Sequence, residues 1–301
     1  MKEITEYLKA YYHEVNKPDL IVSILYTSLL VWLNYHFGME DWLTGQAGFL
    51  AGHLAVYIVA FQLPAFLVLR NSAERKNPAL WLCILLAPLM FAIKVTMNTQ
   101  VNFQNGAAWD YYWNHIIYWP LRMLVLLMML AILYFMFHRN ENHLYGLRCR
   151  QLNMKPYILM LLFMVPLIMA ASTQPDFLNV YPKLRQVMPL PGEAEPDWFY
   201  KFLFEMSYGS DFFTIEIFFR GFLVIGLAKW IGKDAILPMA CFYCSIHFGK
   251  PLGECISSFF GGMLLGIISY HTRSIYGGLV VHLGIAWLME IGGWIGNRIF
   301  Q

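Results

Sequence analysis

The chain has 301 residues, of which 58% are hydrophobic and only 13% charged, with a mean hydropathy of +0.50. A soluble domain carries about 25% charged residues, so the composition excludes an ordinary water-soluble globule and makes a lipid bilayer the natural solvent. A net charge of +2 with no Lys/Arg tract excludes a basic nucleic-acid-binding arm.

From the N-terminus, the first 19 residues mix Lys2, Lys9 and Lys17 with Glu3, Glu6, Glu14 and Asp19. They lack the short basic region of a cleavable signal, and the run from Leu20 is expected to be a retained first span. Candidate membrane helices lie near 20–36, 46–70, 79–98, 117–137, 156–173, 211–231, 234–248, 253–270 and 275–296, of which the shortest, 234–248, is open to being tilted, partly re-entrant or buried by its neighbours. The pattern predicts an all-α, polytopic transmembrane helical bundle of about nine spans.

Counting Lys and Arg in alternate connections gives 13 on the side of the N-terminus and 5 on the other, with Lys94, Arg122 and Arg220 inside spans. The positive-inside rule then places the N-terminus in the cytoplasm of a cell-membrane protein. The connection 174–198 contains Pro175, Pro182, Pro189, Pro191 and Pro196 and is expected to be irregular. It divides the chain into an N-terminal region of about five spans, 1–190, and a C-terminal core, 191–301.

The segment Asp197-Trp198-Phe199-Tyr200 has an interfacial character, and 198–208 is expected to lie along the membrane surface. Trp42, Trp113, Tyr118, Trp119 and Trp230 stand near span ends as interface anchors. His53, Lys94 and Arg122, also embedded, read as packing or cavity residues.

Five cysteines, Cys83, Cys149, Cys241, Cys244 and Cys255, do not form a disulfide framework by number or spacing. Cys241 and Cys244 form a C-x-x-C with no second pair to complete a metal site, so both are assigned structural roles. Ser258, Gly262 and Gly266 recur every four residues, a stripe that lets two helices approach closely.

Charged and imidazole side chains inside hydrocarbon are costly unless paired or facing a wet cavity, so they point to function. Glu216 and Arg220 are four residues apart on one helical face. With consecutive spans antiparallel, Glu216, His247 and Glu254 are expected at one depth, and His282 about 10 Å into the last span. Glu216, Arg220, His247, Glu254 and His282 together hold the parts of a water-activating site: a carboxylate base, imidazoles for water or an oxyanion, and a guanidinium to fix the carboxylate. The same side chains also suit a divalent metal, although no H-E-x-x-H pattern is present. A structural polar network and a proton-coupled transporter are the other readings, the latter without any paired half-sequence repeat.

The stretches Ile215-Glu216-x-x-x-Arg220, Tyr243-x-x-x-His247 and His282-x-x-x-Ala286 resemble the CPBP family of CAAX-processing and bacteriocin-processing intramembrane proteases. That family carries Glu-Glu-x-x-x-Arg, Phe-x-x-x-His and His-x-x-x-Asn/Asp motifs on separate membrane helices. The likeness covers about 196–296 and looks like a divergent bacterial branch.

The resemblance implies an intramembrane endopeptidase acting on a membrane-embedded protein or peptide among membrane lipids, with no nucleic-acid partner and no assured cofactor. Glu216 would activate water with His247, His282 would donate to the carbonyl oxygen, and Arg220 would orient Glu216. Ile215 stands where the family has its first Glu, Tyr243 replaces Phe, and Ala286 replaces Asn/Asp. A base displaced by one residue turns about 100° around the helix, which leaves Glu254 as a second carboxylate. The implied alternative is a non-catalytic binding or immunity protein built on the same polar cavity.

Overall fold

A computed structural model of the protein describes residues 2–39, 49–103, 106–141, 144–148, 153–187 and 198–300. Trp42, Cys149, Pro189, Pro191, Pro196 and Asp197 lie outside the described residues. Every regular element among the described residues is helical: α1 (Lys2–Glu14), α2 (Lys17–Phe37), α3 (Phe49–Leu69), α4 (Pro78–Thr96), α5 (Ala107–Leu133), α6 (Lys155–Ala171), α7 (Pro175–Val180), α8 (Trp198–Glu216), α9 (Ala228–Ile231), α10 (Ile236–Ser245), α11 (Leu252–Thr272) and α12 (Tyr276–Phe300). Short π- and 3₁₀-helical turns extend or join them.

Six helices among the described residues are long and apolar enough to cross a membrane: Lys17–Phe37, Phe49–Leu69, Pro78–Thr96, Ala107–His138, Leu252–Thr272 and Tyr276–Phe300. The protein is a multi-pass, all-α membrane protein. The three other spans expected from hydropathy take different forms. Lys155–Ala171 is a shorter apolar helix of 17 residues. The stretch 211–231 is the end of α8 followed by a ten-residue π-helix, Ile217–Gly226. The stretch 234–248 contains only the ten residues of α10, all buried; at 1.5 Å per residue they reach about half the hydrocarbon thickness.

One other expectation is corrected. The connection after α6 is not irregular throughout: Pro175 opens α7 at its first turn, where a missing N–H costs nothing, and Lys183–Gln186 forms a 3₁₀ turn after Pro182. The stretch 198–208 is the first part of α8, which runs unbroken from Trp198 to Glu216.

The helices gather into two units, each drawn from three separate stretches of the chain. The first comprises 1–96, 128–153 and 216–278. Its helices begin and end on local signals: Asn16 caps α2 by accepting from the Asp19 amide at 3.3 Å, and Gly38 closes it with φ of 59°. Asp19 is then held by Arg70 at 2.6 Å, tying α2 to the end of α3.

In this unit α10 packs on α11, α3, α2 and the π-helix. Phe61, Phe91, Phe218 and Phe219 gather around it, with Phe242 of α10 itself 5.3 Å from Phe61 and 5.2 Å from Phe219. The Ser258/Gly262/Gly266 stripe of α11 faces α10 as its spacing implies. A Cβ on Gly262 would fall 2.7 Å from Tyr243, and one on Gly266 would fall 2.6 Å from Met239. Without a hydrophobic drive between helices in lipid, such close backbone approach supplies the packing energy.

The second unit comprises 97–127, 154–215 and 279–301. Its core is aromatic: Tyr112, Trp119, Phe204, Tyr208 and Phe212 pack with Ile116, Val187 and Ala286. A second cluster joins Ile168 of α6, Phe177 and Leu178 of α7, Tyr181 and Met289 of α12. The embedded polar residues read as packing groups are held locally. Lys94 lies 5.2 Å over the Phe91 ring, His53 Nδ1 is 2.9 Å from the Phe49 carbonyl, and Arg122 Nε donates to the Met97 carbonyl at 2.8 Å.

Candidate functional site

Glu216 is the last residue of α8 proper and Arg220 lies in the first turn of the π-helix that continues it. The wider turn follows from what packs against it. A Cβ at Gly221 would sit 2.5 Å from the Tyr145 carbonyl oxygen, and one at Gly226 would sit 2.9 Å from the Tyr145 ring. The Tyr145 hydroxyl meets His138 Nδ1 at 3.2 Å, and His138 Nε2 reaches the Gly226 carbonyl at 3.1 Å, so a side chain from the end of the α5 span closes the π-helix. π-Helical turns of this kind recur at functional sites.

Arg220 Nη1 lies 3.2 Å from Glu216 Oε1, and neither side chain has any solvent exposure. The guanidinium sits 4.1 Å over the ring of Tyr243, so the Tyr that replaces the family's Phe supplies a cation–π platform. Tyr243 in turn meets His247 edge-on at 4.8 Å. His247 Nδ1 is 2.9 Å from the Tyr243 carbonyl one turn earlier. That contact assigns the proton to Nδ1 and the basic lone pair to Nε2, the tautomer a proton acceptor needs.

Two residues that spacing did not single out complete this environment. A Cβ on Gly278 would lie 2.5 Å from Glu216 Oε2, so only glycine leaves room for the carboxylate there. The Ser269 hydroxyl would be 4.0 Å from that same Cβ, is fully buried, and has no hydrogen-bond partner among the described residues. A buried hydroxyl without a protein partner marks a place where water can be held. The Gly277-Gly278 pair at the start of the last span was the available sequence signal; Ser269 gave none.

The other expected site residues lie as follows. Glu254, in the first turn of α11, pairs with Lys250 at 2.7 Å, and the Lys250 carbonyl accepts from the Tyr35 hydroxyl of α2. His282 belongs to the second unit, where its ring meets Phe212 edge-on at 4.8 Å, and Ala286 one turn later is buried in the aromatic core. The structure thus brings Glu216, Arg220, Tyr243 and His247 into one series of touching side chains and gives Glu254 a lysine partner within its own turn.

Among the described residues no group of three or more His, Cys, Asp or Glu side chains is placed to hold a metal ion. The C-x-x-C is divided: Cys241 Sγ accepts from Thr27 Oγ1 at 3.3 Å, while Cys244 turns to Cys255. The residues present do not form a donor set for the divalent metal that the sequence admitted.

Glu216 and Arg220 are charged side chains fully buried in the helices of a multi-pass membrane protein, the kind of residue that points to a functional site in such proteins. Residues 203–288 match the family described as Type II CAAX prenyl endopeptidase Rce1-like, which lies within the CPBP resemblance read from the motifs. No curated protein and no solved structure matches the chain. The family match supports a CAAX-type intramembrane protease in general.

Proposed function

We propose that the protein is an intramembrane endopeptidase that hydrolyses a peptide bond in a membrane-associated protein or peptide by glutamate-activated water. The observation that carries the reading is the fully buried Glu216–Arg220 pair beside Tyr243 and His247, inside the stretch that matches the family. In this reading Arg220 orients the Glu216 carboxylate, and Glu216 takes a proton from water as the oxygen attacks the scissile carbonyl. His282 donates a hydrogen bond to the oxyanion. Collapse of the tetrahedral species expels the amine, which takes up the proton that Glu216 received from the water, while His247 holds that water.

Residues 191–301 form the catalytic core of this proposal and 1–190 the remaining spans. The N-terminus is cytoplasmic in the cell membrane, with Glu216 in the non-cytoplasmic half.

The test is cleavage of a membrane-tethered reporter by variants expressed at wild-type level. Glu216→Gln and His247→Ala each abolish cleavage, whereas Glu254→Gln retains it. Unchanged cleavage in the first two sinks the assignment; loss only in Glu254→Gln moves the base to that residue. Gly278→Ala, which drives a methyl into the carboxylate, reduces cleavage while leaving His247 in place.

A further inference from the structure

The cysteines carry an arrangement that the proposed hydrolysis does not use. Cys244 lies in the last turn of α10 and Cys255 in the first turn of α11, with the connection 246–251 between the two helices. Cys244 Sγ donates to the Cys255 carbonyl at 3.3 Å, and Cys255 Sγ lies 3.9 Å from the Cys244 carbonyl. Two side chains that each reach the other's backbone across one helix contact are near neighbours, the first condition for a disulfide.

Cys244 also borders a cavity, while neither thiol is exposed at the surface. A cavity of about 470 Å³ is lined by Thr27, Tyr35 and His36 of α2, by Leu252 and Phe259 of α11, and by Cys244 itself. Trp32, Leu252 and Ile256 of its wall are exposed residues, so the cavity lies against the protein surface.

We infer that Cys244 and Cys255 form a redox modification site, in which a peroxide-class oxidant cross-links the end of α10 to the start of α11. The Cys244 sulfur attacks one oxygen of hydrogen peroxide, breaking the O–O bond, and becomes a sulfenic acid as one water leaves. The Cys255 sulfur then displaces the hydroxyl as a second water and forms the S–S bond. Two sulfurs lose two electrons in all, and the peroxide is reduced to two waters. Cys241, three residues before Cys244, is held by Thr27 and takes no part. The cross-link encloses residues 245–254, His247 and Glu254 among them, so its formation pins that stretch whether or not those residues are catalytic.

The test uses the full chain in detergent micelles, reduced, desalted and exposed to hydrogen peroxide, then denatured and labelled with a maleimide mass tag. Two of the five thiols lose their label, regain it after dithiothreitol, and yield one cross-linked peptide joining Cys244 to Cys255. Cys255→Ser loses a single label, recovered as a dimedone-trapped sulfenic acid at Cys244, and Cys241→Ser behaves as wild type. Five labels after peroxide, a Cys241–Cys244 link, or loss of two labels from Cys255→Ser would each overturn the inference.

Discussion

The two units bury acidic side chains by different means. In the first, Glu216 is neutralised by a charge, the fully buried guanidinium of Arg220. In the second, Glu290 of α12 is held by backbone dipoles, accepting from the Lys183 amide at 2.7 Å and the Leu184 amide at 3.3 Å. A charge pair in low dielectric costs much desolvation and stays sensitive to either partner, whereas a carboxylate that accepts from two amides anchors a turn through backbone dipoles. The first arrangement fixes a carboxylate beside its counter-ion where water is scarce; the second fastens the 3₁₀ turn to α12.

The largest effect that can break this comparison is removal of the cation. Arg220→Met leaves Glu216 without its counter-ion and is expected to destabilise the protein by about 3–5 kcal/mol, read as a lower unfolding temperature in detergent. The double variant Glu216→Gln/Arg220→Met recovers most of that loss. A double variant as unstable as the single one would show that Arg220 acts through its packing on Tyr243 rather than through charge.

A smaller effect is expected in the second unit. Glu290→Ala leaves the Lys183 and Leu184 amides without their acceptor, a cost of about 1–3 kcal/mol, with faster amide exchange confined to the 183–187 turn and to the α12 turn facing it. Glu290→Gln, which keeps an acceptor oxygen, restores most of the protection. Equal exchange in all three proteins would remove Glu290 as the anchor.

The smallest effect is a pH dependence. Glu205, on the stretch 198–208 read as interfacial, is pushed up to about 7 chiefly by burial, with Glu290 adding to the shift and Trp287 partly offsetting it. Because its folded value lies above the ordinary 4.5, the unfolded chain releases this proton first as pH rises. The Glu205 contribution is therefore full below about pH 4.5 and declines between 4.5 and 7. Glu205→Gln flattens the unfolding profile in that window, and an unaltered slope would place the titration elsewhere.

Legibility from the sequence differed by element. Long apolar runs marked the six helices able to cross a membrane because hydrocarbon thickness sets their length directly. The short α10 was read as a span because hydropathy cannot separate a helix facing lipid from one enclosed by other helices. Pro175 was read as a breaker, yet a proline in the first helical turn is tolerated, and α7 begins there. The continuity of α8 through 208–211 was hidden by the mixed polarity of that stretch.

Within the site, the Glu216–Arg220 pair was readable because both residues share one helix, and a four-residue spacing fixes their contact. The C-x-x-C misdirected attention for the opposite reason: in-helix spacing placed Cys241 and Cys244 on similar faces, while the partners that matter lie on α2 and α11.

The amino-acid sequence alone determined that this protein lives in a bilayer, that it is helical, and that an acid and a base share one turn, since composition and helical period are local properties. Only the tertiary structure decided that Arg220 rests on Tyr243, that Gly278 makes room for Glu216, and that Cys255 rather than Cys241 faces Cys244. Those relations join residues from different helices, and which faces meet depends on how closely the helix backbones can approach.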